Sequence, residues 1–401
     1  MDTKLGINNN SNKPQLSMLV FSILLLLGSL NITRSTGITR ELAIACVLYG
    51  SSILFIVLVF RNKPIKINWI LILIVVGIYL LGTVIYEFQI KGFKVFLQVT
   101  LLLVYFFTMY QLDWREKRLQ YLSTMFLLFT WICLMQWVGN GMPIGFYKGH
   151  VANQNGFGSM LFLSLFFLLI PLVNRSPRVK RLMHTTGIIA ALLLIYASGA
   201  RAAWLSVLVT FIVFTFWKLL TKGKTRFKIF FLIFIIGLVI AFTTYIQLPM
   251  TPLGNELNKM VFHITGQRLF SGRQSMWPIL LDAITRRPWF GYGAGTTPGD
   301  ISWITLSAHN WYLQTALQVG LIGLMAFVVL FYSLWKLFWR GRNDPIVKLA
   351  ASFMIGILFH QMFEVSLTQN SMGIALLQWL IIAIACSRSV GFSYDSRFSE
   401  S

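Results

Sequence analysis

Acidic residues are scarce in this chain. Asp and Glu number 12, against 34 Lys and Arg, in 401 residues. An Asp-x-Asp pair, which commonly holds a divalent cation beside a phosphate group, is missing from the segments that we assign below to the external side of a membrane. We therefore expect no metal site there, and metal-dependent phosphate chemistry is disfavoured. The external acidic residues are Glu41, Glu87, Glu256, Asp282, Asp300 and Glu364.

Cysteine is equally rare. The three cysteines, Cys46, Cys133 and Cys386, all fall within strongly apolar stretches of the sequence. A buried free cysteine behaves as a small apolar residue. We expect the three to be core residues, and neither a disulfide framework nor a Cys-based metal site is predicted.

The low charge content excludes an ordinary soluble domain. Only 11% of the residues are charged, 56% are hydrophobic, and the mean hydropathy is +0.71. These values are typical of a polytopic membrane protein. A membrane-spanning helix needs roughly 20 apolar residues, and about twelve stretches qualify. The candidate spans lie near 15–32, 41–60, 69–87, 93–112, 119–138, 156–173, 184–199, 202–219, 228–246, 309–335, 349–366 and 371–387.

The first apolar run follows a polar, Lys-containing tail and has no small-residue cleavage site. We expect it to be a span and not a cleavable signal peptide. Lys and Arg concentrate in alternate connections and in both tails, which places both termini in the cytoplasm. The predicted fold is all-α, one integral membrane domain over residues 1–401.

The formal net charge of +22 mostly reflects this topology and an attraction to anionic headgroups. Membrane lipids are therefore expected partners. Nucleic acid is not, because no basic cluster accompanies a folded soluble domain.

The segment 247–308 is the largest polar stretch, and the topology makes it an external loop between the ninth and tenth spans. It contains Arg268, Arg273, Arg286 and Arg287, although positive charge is disfavoured on that side of the membrane. Because these arginines do not help to orient the protein in the membrane, we expect them to bind an anionic ligand. The loop is therefore the first candidate for a functional site.

Apolar residues recur at helical spacing in two parts of this loop. We predict two short amphipathic helices whose apolar faces lie on the membrane surface. The second is expected to have Ser275 as its N-cap, with Arg273 just before it and Pro278 in its first turn. The apolar positions are Leu253, Leu257 and Val261 in the first helix, and Trp277, Leu280, Leu281 and Ile284 in the second.

Arg201 and His309 are candidates outside the body of the loop. Arg201 occupies a small external turn, either as an interfacial arginine that reaches the headgroups or as a functional residue; the second interpretation is favoured, because arginine near hydrocarbon usually has a partner. His309 begins the tenth span. It is either a polar interfacial residue or a base that titrates near neutral pH, and its own sequence leaves both open.

Three further groups of residues allow two interpretations each. Glu364 follows His360 by four residues on the eleventh span, so the two would share a helix face, as an internal polar contact or as catalytic residues. His150, Asn153 and Asn155 lie in the other sizeable external loop. They can hydrogen-bond a sugar or serve as turn and capping residues. The flexible turn Gly291–Gly295 has no Lys-Ser/Thr and follows no strand, so no nucleotide role is predicted.

Three short motifs together resemble the O-antigen ligase and polymerase superfamily of bacterial envelope glycan assembly. Their order, their spacing and their place in a chain with about twelve spans and one large late external loop carry the resemblance, which is concentrated between about Ala190 and Gly323. The motifs are Ser198-Gly199-Ala200-Arg201-Ala202-Ala203-Trp204; Ser271-Gly272-Arg273-Gln274-Ser275-Met276-Trp277 with Pro288-Trp289-Phe290-Gly291-Tyr292-Gly293; and His309-Asn310-Trp311-Tyr312-Leu313-Gln314 with Val319-Gly320-Leu321-Ile322-Gly323.

The resemblance implies a glycosyltransferase of the bacterial inner membrane that uses a polyprenyl-pyrophosphate-linked glycan on the periplasmic face, where segment 247–308 would be a periplasmic loop. The family's two functional arginines match Arg201 and Arg273, and its histidine matches His309. We add Arg268 as a further pyrophosphate-binding candidate, and Asn310, Glu364 and His150 as supporting residues. No metal, cofactor or nucleotide is expected.

The ligase members of the family transfer finished O-antigen from undecaprenyl pyrophosphate to the outer core sugar of lipid A–core. The short chain without an added soluble domain looks more like these lipopolysaccharide ligases than like a protein-glycosylating member. Two alternatives stay open. An O-antigen polymerase would use the same donor with a second lipid-linked glycan as acceptor. A transporter or flippase of lipid-linked glycan would show inverted repeats and interrupted helices, and the sequence shows no repeat.

Overall fold

The computed structural model describes residues 69–86, 90–149, 153–265, 268–270, 272–302 and 307–398, together with Gly50, Ile67 and Val151. The first two predicted spans lie almost entirely outside the described residues. The same holds for three residues singled out above, Glu41, Glu87 and His150.

The described chain is built from α-helices that run up and down in succession. Short 3-10 turns follow α8 and α11, and a third, Pro298–Asp300, precedes α11. The α-helices are α1 Trp69–Val84, α2 Ile90–Gln111, α3 Glu116–Gly139, α4 Gln154–Val173, α5 Arg178–Ser198, α6 Arg201–Thr215, α7 Trp217–Leu220, α8 Lys224–Gln247, α9 Pro252–Thr265, α10 Arg273–Arg286, α11 Trp311–Phe338, α12 Pro345–His360 and α13 Met372–Phe398.

Seven of these helices are long and apolar enough to cross a membrane, and α1, α6 and α12 are shorter apolar helices. Together they correspond to the ten predicted spans that fall on described residues, so the chain is a multi-pass helical membrane protein. The predicted start of the tenth span at His309 is two residues early. Asn310 caps α11, its side-chain oxygen accepting a hydrogen bond from the Leu313 amide at 3.0 Å, and the helix begins at Trp311.

The prediction for the eleventh span was also wrong at its end. Helix α12 stops at His360. The backbone amides of Gln361, Met362 and Phe363 donate hydrogen bonds to carbonyl groups of its last turn. Glu364 therefore lies beyond the helix and does not share a helical face with His360. The apolar residues Met362, Phe363 and Val365 follow the last turn, so the composition of the sequence does not mark the end of the helix.

The helices differ strongly in how much of their surface is covered by protein. Helix α12 is buried along nearly its whole length, and so is most of the part of α13 from Met372 to Gly391. Helix α8 is the opposite case, because its only buried residues are Phe227, Phe231 and Leu238. Without a hydrophobic force between helices in lipid, close approach depends on small residues. Helices α4 and α6 meet in this way, with Gly158 of α4 against Ala200 at the start of α6.

Both predicted loop helices form, but the second differs in its placement. Helix α10 begins at Arg273 and not after Ser275, with Gly272 as its N-cap, and Pro278 lies inside it. Its apolar face does not lie on the membrane surface, since Trp277 and Leu280 are fully buried within the protein. The apolar face of a helix packs equally well against other helices, and this helix packs on α8 and α11.

Helix α11 is interrupted at Gly320, whose φ of 69° and ψ of −174° are not helical. The segment that follows α10 fills the interruption with its own backbone. The Tyr292 amide donates to the Leu317 carbonyl at 2.8 Å, and the Leu321 amide donates to the Pro288 carbonyl at 2.7 Å. The turn predicted to be flexible is therefore docked. Two of the three sequence motifs meet here, and they join the loop to the helix that follows His309.

Gly320→Ala is expected to lower the melting temperature of the purified protein by roughly 5–10 °C. A Cβ atom at Gly320 would lie 2.0 Å from the Trp289 carbonyl oxygen, so the docked segment would have to move. Gly237→Ala is the matched control, because a Cβ at that position of α8 meets nothing within 4 Å. Thermal unfolding in detergent measures both, and equal melting temperatures would contradict the docked arrangement.

Candidate active site

His309 is held at the mouth of the bundle by contacts on both of its neighbours in sequence. The Trp277 indole of α10 donates to the Ala308 carbonyl at 2.9 Å, and Asn310 is fixed as the N-cap of α11. Between them His309 adopts φ 44°, in the left-handed region that is uncommon for residues other than glycine. Such local strain persists only where surrounding contacts enforce it, and it is common at functional sites.

Glu364 lies at the centre of the polar groups around His309. Its Oε2 atom is 3.6 Å from Nδ1 of His309, and its Oε1 atom is 3.6 Å from a terminal nitrogen of Arg273. The Asn155 side-chain amide donates to the same Oε1 at 3.0 Å. The two 3.6 Å contacts are ion-pair distances, longer than a hydrogen bond. One carboxylate thus connects the imidazole, an arginine and the start of α4.

The ionised form of Glu364 is favoured by its neighbours. Burial by itself would raise the pKa of this carboxyl, but His309, His360 and Arg273 together hold the pKa below its ordinary value of 4.5. A carboxylate beside an imidazole sets the orientation of the ring and stabilises its protonated form. The pair therefore has the arrangement that a base needs when it accepts a proton.

Because the pKa of Glu364 is depressed in the folded protein, its ionisation stabilises the fold at pH values above 4.5. This contribution is lost as the pH falls from 4.5 through the lower folded pKa. We expect the melting temperature to fall in this range for the wild-type protein and to fall less for Glu364→Gln. The exposed Glu256→Gln is the control. Parallel melting curves for wild type and Glu364→Gln would contradict the electrostatic role of this carboxylate.

Arg273, the first residue of α10, reaches across to the segment that follows α12. Its guanidinium donates to the Phe363 carbonyl at 2.9 Å and lies 5.8 Å from the centre of the Phe363 ring. These contacts and the Glu364 ion pair fix the direction of the side chain. Its side chain is largely shielded, with 14% of its surface exposed, so a charge placed there is weakly screened by water.

Arg201 begins α6 and is fixed by backbone carbonyls of the loop. Its guanidinium donates to the carbonyls of Arg268 and of Leu269, the latter at 3.2 Å. The charges of Arg201 and Arg273 lie close enough to repel each other. Two arginines whose charges interact in this way are able to stabilise an anion with more than one negative charge. Both were candidates from the sequence, and their charges interact in the structure although 72 residues separate them in the chain.

A cavity of about 450 Å³ opens beside His309 and Glu364. Its other wall is the external loop before α4, so the two polar loops of the sequence meet here. Asn155 contributes through its hydrogen bond to Glu364, whereas Asn153 is an N-cap, with its side-chain oxygen accepting from the Gly156 amide at 2.7 Å. The remaining lining residues are Phe146, Lys148 and Gln154.

The other residues that the sequence singled out, where the structure describes them, do not line this cavity. Arg268 contributes its carbonyl to Arg201, and its own side chain is exposed. Arg286 pairs with Asp282 at 2.7 Å in an exposed position, and Arg287 stacks on two tyrosine rings. Asn310 serves as the cap described above.

His360, the last residue of α12, is buried between α4 and α6. Its ring nitrogens lie 2.7 Å from the Ser159 hydroxyl of α4 and 3.0 Å from the Ser206 hydroxyl of α6. Such contacts hold neighbouring helices together in lipid. For His360 they agree with the interpretation as an internal polar contact, and not as a catalytic residue. Neither serine could be recognised in advance, because serines in apolar helices commonly bond to their own backbone. The Lys148 contribution to the cavity was likewise missed.

The described part of the chain is a multi-pass helical membrane protein in which a shielded arginine, Arg273, pairs with the carboxylate of an imidazole–carboxylate pair. Residues 186–328 match the family model for O-antigen ligase, about a third of the chain, and this match supports membership in the O-antigen ligase family. The matched region includes Arg201, Arg273 and His309, and it ends before Glu364. No curated protein matches the chain. The family supports a ligase- or polymerase-type activity on lipid-linked polysaccharides.

Proposed function

We propose that the protein transfers O-antigen polysaccharide from undecaprenyl pyrophosphate to the outer core sugar of lipid A–core, at the periplasmic face of the inner membrane. The observation that carries the proposal is that Glu364 lies 3.6 Å from both His309 and Arg273, while the charge of Arg201 interacts with that of Arg273. Segment 247–308 would be the periplasmic loop that closes the site.

The proposed step is a direct displacement at the anomeric carbon of the donor sugar. The bond from that carbon to the pyrophosphate oxygen breaks, and the electron pair leaves with the polyprenyl pyrophosphate. The acceptor hydroxyl oxygen forms the new bond from the opposite side, which inverts the configuration. His309 takes the hydroxyl proton, and Glu364 stabilises the imidazolium that results.

Negative charge grows on the leaving pyrophosphate during this step. Arg201 and Arg273 are fixed by carbonyl contacts before the substrate binds, so they can stabilise that charge with little reorganisation. The donor's pyrophosphate linkage supplies the driving force, so no nucleotide is needed. The apolar helices beside the site would hold the polyprenyl and acyl tails, and bringing two lipid substrates together supplies a large part of the rate.

The cavity beside His309 is the proposed position of the acceptor sugar. Its lining includes the side-chain amides of Asn153, Gln154 and Asn155, and Phe146 is 74% exposed. An exposed aromatic ring next to amide groups suits the apolar face and hydroxyl groups of a sugar. The hydroxyl that His309 activates would lie in this cavity.

Purified protein supplied with lipid-linked O-antigen and lipid A–core tests the proposal. We expect glycosylated lipid A–core as the product, and no product from Arg273→Ala. If the protein lengthened the lipid-linked glycan and left lipid A–core unmodified, it would be a polymerase and the ligase proposal would fail.

The transporter alternative has one feature in its favour, the interruption of α11, since transporters commonly bind their substrate at broken helices. In this protein the interruption is filled by the docked loop backbone, and the charged cluster lies at the end of the bundle. A transporter would move the labelled donor across a vesicle membrane without any acceptor. We expect no such movement.

A further inference from the structure

A second cavity, of about 330 Å³, lies at the opposite end of the bundle from His309. It is formed between the first turn of α8 and the last turn of α11. The polar residues that line it are Lys224, Lys228, Ser333, Lys336 and Arg340. Helix α8 ends where the loop containing α9 and α10 begins, and α11 starts next to His309. The start of α8 and the end of α11 therefore both lie at the end of the bundle away from His309.

Four cations converge on this cavity from helices more than a hundred residues apart in sequence. Among the residues that the structure describes, none of the four pairs with a carboxylate. The N-terminus of α8 points to the same place, and its N-cap Gly223 offers no side-chain cap to the free amides. Membrane topology requires positive charge on one side, but it does not require that the charges converge on one concavity.

The floor of the cavity is aromatic and firmly packed. The Phe227 ring stacks on Trp335 with centroids 4.3 Å apart, and the Trp335 indole donates to the Phe227 carbonyl at 2.6 Å. Trp339 packs against the same phenyl ring, 5.6 Å between centroids. The cavity is therefore preformed, and a ligand that enters it does not have to order its floor.

The lipid-facing surface of α8 continues directly from the cavity. Large apolar side chains are exposed along this helix, including Ile229, Ile233 and Ile236. The 24 residues of α8 span about 36 Å, close to the thickness of a bilayer with its interfaces. The cavity thus lies at headgroup depth, next to a surface that acyl chains can cover.

We propose that this cavity binds the phosphate-bearing headgroup of an anionic phospholipid, in the membrane leaflet opposite the proposed transfer site. The cations and the α8 amides match the phosphate groups, and the acyl chains lie along α8. Basic pockets between the ends of transmembrane helices bind such lipids by these interactions. The inference is independent of the proposed transfer reaction, because none of its residues belongs to the candidate active site.

Native mass spectrometry of the full-length protein in detergent tests the proposal, with phosphatidylglycerol, cardiolipin and phosphatidylethanolamine as probes. We expect the two anionic lipids to be retained in preference to phosphatidylethanolamine. Lys228→Gln with Arg340→Gln should weaken their retention about 25-fold, at about fivefold for each charge removed. Lys228→Arg with Arg340→Lys keeps the charge and should retain the lipid, which separates loss of the site from loss of the fold.

The matched control neutralises Arg178 and Arg181, exposed residues in the first turn of α5 at the same end of the bundle. Lipid retention should be unchanged in Arg178→Gln with Arg181→Gln. Equal losses in the control and cavity variants would mean general surface attraction and would overturn the proposal. Undiminished retention in the cavity variant would overturn it too. Displacement by millimolar inorganic phosphate, without selectivity among lipids, would identify a free-anion site instead.

Discussion

His309→Ala is expected to lower the rate of glycosyl transfer by about 10²- to 10⁴-fold, the range that general-base catalysis commonly contributes. The imidazole lies 3.6 Å from Glu364 and faces the cavity proposed for the acceptor. Without it the acceptor hydroxyl has no base to take its proton. The measurement is the initial rate of lipid A–core modification at saturating donor.

His263→Ala is the matched control for this variant, since His263 is an exposed histidine on α9 of the same loop. Its rate should equal that of the wild-type protein. His309→Ala should also keep the wild-type melting temperature within a few degrees, because the Asn310 cap and the Trp277 contact that position this segment do not involve the imidazole. A wild-type transfer rate in His309→Ala would remove the proposed base.

Arg273→Ala is expected to lower the transfer rate by about 10²- to 10³-fold, as removal of one fixed donor to a developing anion commonly does. Arg273→Lys should recover little of this loss. A lysine ammonium lacks the planar pair of donors that contacts the Phe363 carbonyl and a phosphate oxygen at the same time. Initial rates at several donor concentrations measure both effects.

Arg286→Ala provides a control on the same helix. Arg273 and Arg286 begin and end α10, and Arg286 forms only an exposed pair with Asp282. Exposed ion pairs contribute little to stability, so this variant should keep both its fold and its rate. If the two variants lost activity equally, a general requirement for positive charge in the loop would replace the specific site.

The sequence was sufficient to predict a multi-pass helical membrane protein and to name Arg201, Arg273 and His309 as candidate site residues. Long apolar runs have few structural alternatives in lipid, so the spans were predictable wherever the structure describes them. Arg201 and Arg273 were recognisable because arginine is disfavoured on the external side. His309 was recognisable from its position at the end of the loop and from the family resemblance.

What the sequence could not supply was the tertiary arrangement. The apolar face of α10 suits a membrane surface and a protein interior equally, and only packing decides between them. Glu364 was assigned to a helix because its neighbours are apolar, yet α12 ends at His360. Its contacts with Asn155, Arg273 and His309 join parts of the chain that no local pattern relates. The docking of the loop into α11 at Gly320 depends on a similar distant contact.

The most direct test of the proposed site measures donor affinity and single-turnover transfer in the same preparation, for the wild-type protein, His309→Ala and Arg273→Ala. We expect His309→Ala to bind undecaprenyl-pyrophosphate-linked O-antigen as tightly as the wild-type protein but to transfer it slowly. Arg273→Ala should lose both affinity and transfer. If His309→Ala transferred at the wild-type rate, or if Arg273→Ala bound the donor with undiminished affinity, the assigned roles would be contradicted.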